Sequence, residues 1–232
     1  YSLERPRPES WQVERDLTEE WSGVALELTE WIRRDTRAGL KVGLERWDHR
    51  GRFFAVGASG FSVRDDALVG LRYAGAAWVA WDGRASFHRV DLEARWRNAR
   101  GSDSRWRVEV RSGVALADSR APRNLWPGAG VGIARPFLLR ARPLLREGGV
   151  QAGGLAPGLW FGGAELFLQG VSIGFLRFQP GLFADAGRQW GGDEPAASQV
   201  DTGALLRMSV PGFDGWLQLS AARGLADGAS AV

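Results

Sequence analysis

The chain has 232 residues, 44% hydrophobic and 25% charged, with 30 basic against 27 acidic side chains and a net charge of +3. That length and apolar content support a folded core, and no apolar run reaches the ~18 residues of a membrane-spanning helix. The absence of cysteine excludes disulfides, thiolate–zinc sites and cysteine nucleophiles.

The two histidines, His49 and His88, lie too far apart to suggest a metal site, and no metal or other cofactor is expected. The basic excess is almost wholly arginine, because Lys41 is the only lysine. The one acid-free basic stretch, 123–146, is rich in Gly, Pro and Leu and matches no nucleic-acid reader motif, so no nucleic-acid partner is expected. A mean hydropathy of −0.22 points to a soluble protein only if the chain is helical. A membrane β-barrel reaches the same value by averaging an apolar face with a polar one.

In chain order the residues fall into segments of about ten with a period of two. A weak strand near 11–17 comes first. Val24, Leu26, Leu28 and Ile32 then oppose Glu27, Thr29 and Arg33, and Leu40, Val42 and Leu44 oppose Lys41, Gly43 and Glu45. Segments 51–63 and 67–81 are Gly/Ala-rich with less distinct faces. The clearest alternation follows: Val90, Leu92, Ala94 and Trp96 oppose Arg89, Asp91, Glu93, Arg95 and Arg97. Next, Trp106, Val108, Val110, Ser112, Val114 and Leu116 oppose Arg105, Arg107, Glu109 and Arg111. Strands at 160–169, 175–187, 203–210 and 216–223 complete ten, and 230–232 begins another that is cut short.

The connections at 34–37, 48–51, 64–66, 82–84 and 211–214 are short and polar, which dictates an antiparallel meander. Two connections, 119–154 and 189–200, read as long and fall on the same end of the sheet. Short turns at one end and long loops at the other are the asymmetry of outer-membrane barrels. Segments of nine to thirteen residues are the length that crosses a bilayer when tilted. Tryptophans near segment ends (Trp31, Trp47, Trp81, Trp96, Trp106, Trp160, Trp190 and Trp216) fit interfacial girdles. The expected fold is therefore all-β: an antiparallel up-and-down transmembrane β-barrel, with about ten to twelve strands in this chain. One barrel domain would span 1–232, with 119–154 as a long extracellular or lumenal loop. The charged face would line the lumen, with Arg105, Arg107 and Arg111 across from Asp91 and Glu93. Mixed signs there argue against a strongly ion-selective pore.

The long connection reads Leu125-Trp126-Pro127-Gly128-Ala129-Gly130-Val131-Gly132-Ile133-Ala134-Arg135-Pro136-Phe137. A strand with Gly163-Ala164-Glu165-Leu166-Phe167 follows, then Phe183-Ala184-Asp185-Ala186-Gly187-Arg188-Gln189-Trp190, then Val210-Pro211-Gly212-Phe213. Over about residues 120–230 this order resembles the C-terminal half of the BamA/TamA-like surface-antigen superfamily of outer-membrane assembly barrels. The resemblance implies a sixteen-stranded barrel in the bacterial outer membrane, of which this chain would supply the later strands. It implies insertion or translocation of proteins, with outer-membrane lipids, unfolded outer-membrane protein clients and periplasmic accessory subunits as partners. In that family a Val-Arg-Gly-Phe/Tyr loop folds into the lumen. Carried over, Arg135 would pair there with Glu165 and Asp185, and Gly128, Gly130, Gly132, Pro136 and Phe137 would form the loop motif. Pro136 stands where the family has glycine, and no POTRA repeat is read in these residues. Two alternatives keep the barrel but not the activity: a structural or anchor barrel, and a passive pore. No Gly-x-Ser-x-Gly elbow, Walker loop or zinc motif occurs, and no enzyme is expected.

Overall fold

A computed structural model describes residues 10–13, 17–47, 50–64, 69–98, 105–128, 139–141, 145–146, 149–150, 155–192, 197–210, 216–225 and 230–231. The strands in chain order are β1 (Ser10–Val13), β2 (Leu17–Arg33), β3 (Thr36–Trp47), β4 (Gly51–Arg64), β5 (Val69–Ala80), β6 (Phe87–Arg97) and β7 (Trp106–Ala117). Then come β8 (Leu145–Arg146), β9 (Gly149–Val150), β10 (Gly158–Leu168), β11 (Val171–Ile173), β12 (Leu176–Trp190), β13 (Ala197–Ser209), β14 (Trp216–Gly224) and β15 (Ser230–Ala231). From β2 to β7, and on through β10, β12, β13, β14 and β15, each strand pairs antiparallel with the one before it in a single sheet. The short β11 extends the turn between β10 and β12. The short β8 and β9 belong to the long connection after β7, and β9 runs parallel to β1 beside the edge of β2.

One alternation governs this sheet. Val24, Leu26, Leu28, Leu71, Val90, Leu92, Leu182, Leu217 and Leu219 all point outward and stay exposed. Their sequence neighbours point inward, because successive strand side chains take opposite faces. A soluble protein would cover such a belt, whereas a barrel presents it to lipid. The inner face is curled tightly. The side chain of Arg207 on β13 reaches within 3.8 Å of Glu109 on β7, although three strand steps in a flat sheet would separate their backbones by ~14 Å. Among the described residues, 21–33 of β2 pair only with β3, and β14 meets β15 only at Ala222 and Arg223, so the sheet is open between these two edges.

Several expectations change on this frame. The connection 189–200 is not long: Gln189 and Trp190 pair with Leu159 and Gly158, and Ala197–Val200 pair back onto β12, leaving 191–196 between the strands. One long connection remains, and its end of the sheet is the loop end; the other is the turn end. Arg107 and Arg111 do not face Asp91 and Glu93. The register sets Asp91 against Ala115, Glu93 against Gly113 and Arg95 against Arg111, while Arg105 precedes the strand. The ion pairs form instead along each strand, two residues apart: Arg89 with Asp91 at 2.7 Å, Arg107 with Glu109 at 3.1 Å, and Arg95 with Glu93.

The tryptophans divide as well. Trp96 and Trp106 at the turn end, and Trp81 and Trp160 at the loop end, are exposed on the outer face. Trp190 shares that face and covers Gly158, where a Cβ would lie 2.2 Å from its ring. Trp47 is 4% exposed inside the sheet, and Trp31 has the inward parity of β2. A segment-end position does not say which face an indole takes.

Candidate functional site: a clasp inside the sheet

Residues Leu139, Arg140 and Ala141 of the long connection lie buried against the inner faces of β7, β10, β12 and β13. Each is held differently. Leu139 packs with Leu159 and Phe161, and its Cδ1 sits 2.9 Å from where a Cβ on Gly187 would be. Glycine at 187 therefore makes room for it. Leu139 has φ of 53°, a left-handed conformation that leucine adopts only when its surroundings impose it.

Arg140 donates from Nη2 to Glu165 Oε1, and its Nε stands 3.5 Å from Asp185 Oδ2. Its guanidinium lies 4.1 Å over the Phe183 ring. The Ala141 amide donates to Asp201 Oδ2 at 2.9 Å, and its methyl joins Phe167, Phe183, Leu205 and Ala222.

Further arginines balance the acids. Arg207 donates from Nη2 to Glu165 Oε2 at 3.1 Å and from Nε to Gln218 at 2.8 Å. Arg111 lies 3.7 Å from Asp185. The guanidiniums of Arg207 and Arg107 stand 4.0 and 4.7 Å from the centre of the Phe167 ring. Asp185 and Asp201 are 1% and 0% exposed. Asp185 is held by the charge of Arg140 and Arg111, and Asp201 by the Ala141 amide. The clasp fixes a loop to a wall.

A second polar centre lies on the opposite wall at the loop end. Glu45 on β3 is buried, and its Oε2 accepts the indole N–H of Trp21 at 3.1 Å, Trp47 at 3.2 Å and Trp78 at 2.6 Å. Trp47, Trp78, Phe53, Phe87 and Ala121 close around it. The start of the long connection caps this box: Arg89 donates to the Leu125 carbonyl at 3.1 Å and Arg50 to the Arg120 carbonyl at 2.8 Å.

Of the residues expected at the site, Glu165 and Asp185 meet a loop arginine, and that arginine is Arg140. Arg135, Gly130, Gly132, Pro136 and Phe137 lie outside the described residues. Gly128 is buried and bridges to Leu155 at the mouth of the connection. Arg89, Asp91, Glu93, Arg95, Arg107, Glu109 and Arg111 share the inner face, but only Arg107, Glu109 and Arg111 reach the clasp or its supporting ion pairs. Asp201, Arg207, Leu139 and the Glu45 box were not singled out from sequence. The inward parity of Arg207 was visible, but its partners depend on curvature.

The fold and clasp define a class: an up-and-down barrel sheet with an apolar outside, a charged inside and a loop segment fastened within. Among solved structures, the chain is similar to "The crystal structure of BamA from Haemophilus ducreyi lacking POTRA domains 1-3", with a TM-score of 0.65 at 14% identity. The match covers 90% of this chain and 51% of that one, so the chain spans about half the length of the crystallised chain. At this identity the likeness shows the fold, a BamA-like barrel. No family model and no curated relative matches.

Proposed function

We propose that the chain is the later part of an outer-membrane β-barrel of the BamA/TamA-like surface-antigen superfamily, acting to insert or translocate proteins at that membrane. The observation that carries this reading is the clasp. A loop arginine, Arg140, meets Glu165 and Asp185, the two carboxylates that the sequence resemblance marks as partners of a loop arginine. The exposed apolar belt supports outer-membrane lipid as its surroundings. Under this reading the loop end faces outward and the short turns face the periplasm. The partners are unfolded outer-membrane proteins or periplasmic accessory subunits. No catalytic step is assigned to the chain.

The test is depletion of the protein in its own cells followed by quantitation of the outer-membrane proteome. Reduced levels of several other barrel proteins are expected; unchanged levels would overturn the assembly reading. The burial of Arg140, Asp185 and Asp201 favours a second reading, a plugged structural or anchor barrel. That reading predicts loss of a single partner with the remaining proteome intact.

A further inference from the structure

The inner face of β3–β5 near the turn end holds a hollow that the clasp does not use. Strand register builds it in rows. The outermost row runs Trp31, Arg37, Phe61, Arg72, Glu93 across β2 to β6. The row beneath it is small: Thr29, Gly39, Ser59, Ala74. Deeper still, Gly57 and Ala76 follow Lys41. Thr29, Gly39 and Ser59 form the floor of the hollow, where Ser59 Oγ lies 2.7 Å from the Cβ position of Gly39, and these short side chains leave the space above them to Arg37, Phe61 and Arg72. The resulting cavity is about 440 Å³, within the range of small-molecule sites.

Its charges do not cancel. Of its lining residues Arg37, Arg72 and Arg95 are basic, and Glu27 and Glu93 are acidic. Glu93 is held by Arg95, and Glu27 stands opposite Lys41 in the register. Arg37 and Arg72 form no hydrogen bond or ion pair with the other described residues. They flank Phe61 at two strand spacings, ~10 Å between backbones, a distance from which two long stems can converge on one group.

We propose that this cavity binds a small organic anion, clamped at a phosphate or carboxylate head by Arg37 and Arg72 with its flat apolar body against Phe61 and Trp31. Guanidinium forks match oxyanions in bidentate geometry and stay charged at any physiological pH. Trp31 and Phe61 supply the apolar half of a site that is otherwise polar. This inference does not depend on the assembly reading.

Titration calorimetry on the full chain in maltoside micelles tests it, with phenyl phosphate as the probe. Inorganic phosphate and benzyl alcohol separate the contributions of head and body. Saturable binding of phenyl phosphate is expected, at least roughly tenfold tighter than inorganic phosphate, with none for benzyl alcohol. In Arg37→Gln/Arg72→Gln the affinity should fall by roughly tenfold or more, since hydrogen bonds to charged groups contribute that much. Gly39→Leu, which fills the hollow and leaves both arginines, should lose binding too. Heat-resistant gel migration, unchanged in these variants, reports that the barrel has formed. Absence of saturable phenyl phosphate binding by the native chain, equal binding of benzyl alcohol, or retained affinity in the folded arginine double variant would overturn the proposal.

Discussion

The two walls of the lumen obey the same alternation and are filled in different ways. On the β7–β13 wall the inward residues are large, charged and close enough to bind a loop: Glu165, Asp185, Arg207 and Phe183 surround Arg140. On the β2–β6 wall the strands close over themselves at the loop end, with three indoles on Glu45. Near the turn end that wall is hollow between Trp31, Phe61 and Arg72, above the short side chains of Thr29 and Ser59. Inward parity therefore does not determine what fills a barrel. Residue size row by row does, with curvature bringing distant rows together.

The difference predicts unequal sensitivity. Removing Arg140 leaves two buried carboxylates short of a cation, so Arg140→Ala should destabilise by about 3–5 kcal/mol, the cost of breaking a buried pair on one side. Loss of the heat-resistant band at a lower temperature would report it, and Arg140→Lys should recover only part, since ammonium lacks the fork. On the outer face, Leu26→Arg should cost about 2–4 kcal/mol if the side chain sits near the bilayer midplane. Urea titration in vesicles measures that, and an effect near zero would place β2 away from lipid.

On the other wall, Glu45→Ala strips the acceptor from three indoles and should cost about 1–3 kcal/mol as the box rearranges. Glu45→Gln, which keeps a carbonyl, should cost less. Tryptophan fluorescence should shift in the alanine variant and not in Arg140→Ala, which separates the two walls.

The smallest effect belongs to the loop start. There the Arg120 side chain (2.6 and 3.0 Å), and then its amide (2.9 Å), hold Asp118 at about 2, below the ordinary 3.8. A depressed carboxylate stabilises the fold above its unfolded value and loses that contribution as pH falls through about 2. A carbon-detected titration of Asp118 should show this midpoint, moving toward 3.8 in Arg120→Ala.

Much of the architecture was legible in sequence because period-two patterning is a local property. Val90-Asp91-Leu92-Glu93 declares its two faces without reference to any neighbour. Glu165 and Asp185 were legible as a pair through their motif context. The loop partner was harder to place, because the acid-free stretch 123–146 carries five arginines and local chemistry does not rank Arg135 against Arg140. Burial of Arg140 depends on Gly187 admitting Leu139 and on Asp201 capturing the Ala141 amide, contacts forty to sixty residues away in sequence. The Glu45 box was illegible for the opposite reason. Of its three indoles Trp47 fits a girdle by position, until the register turns it inward together with Trp78. The register also undid the expected Arg–Asp pairs of β6 and β7, since a hairpin's offset is set by the turn and not by charge.

Residues 139–141 lie inside the sheet, and the absence of cysteine makes this directly measurable. In a Leu139→Cys/Gly187→Cys chain the new sulfur at 139 would take roughly the place of Leu139 Cγ, which lies 3.6 Å from the Cβ position at 187. That spacing suits a disulfide with little movement. Mild oxidation of the folded chain in membranes should close the bridge and shift its mobility on a non-reducing gel, reversed by reductant. Two thiols that stay free in the folded chain, both open to a membrane-impermeant maleimide, would place the segment outside and contradict the clasp.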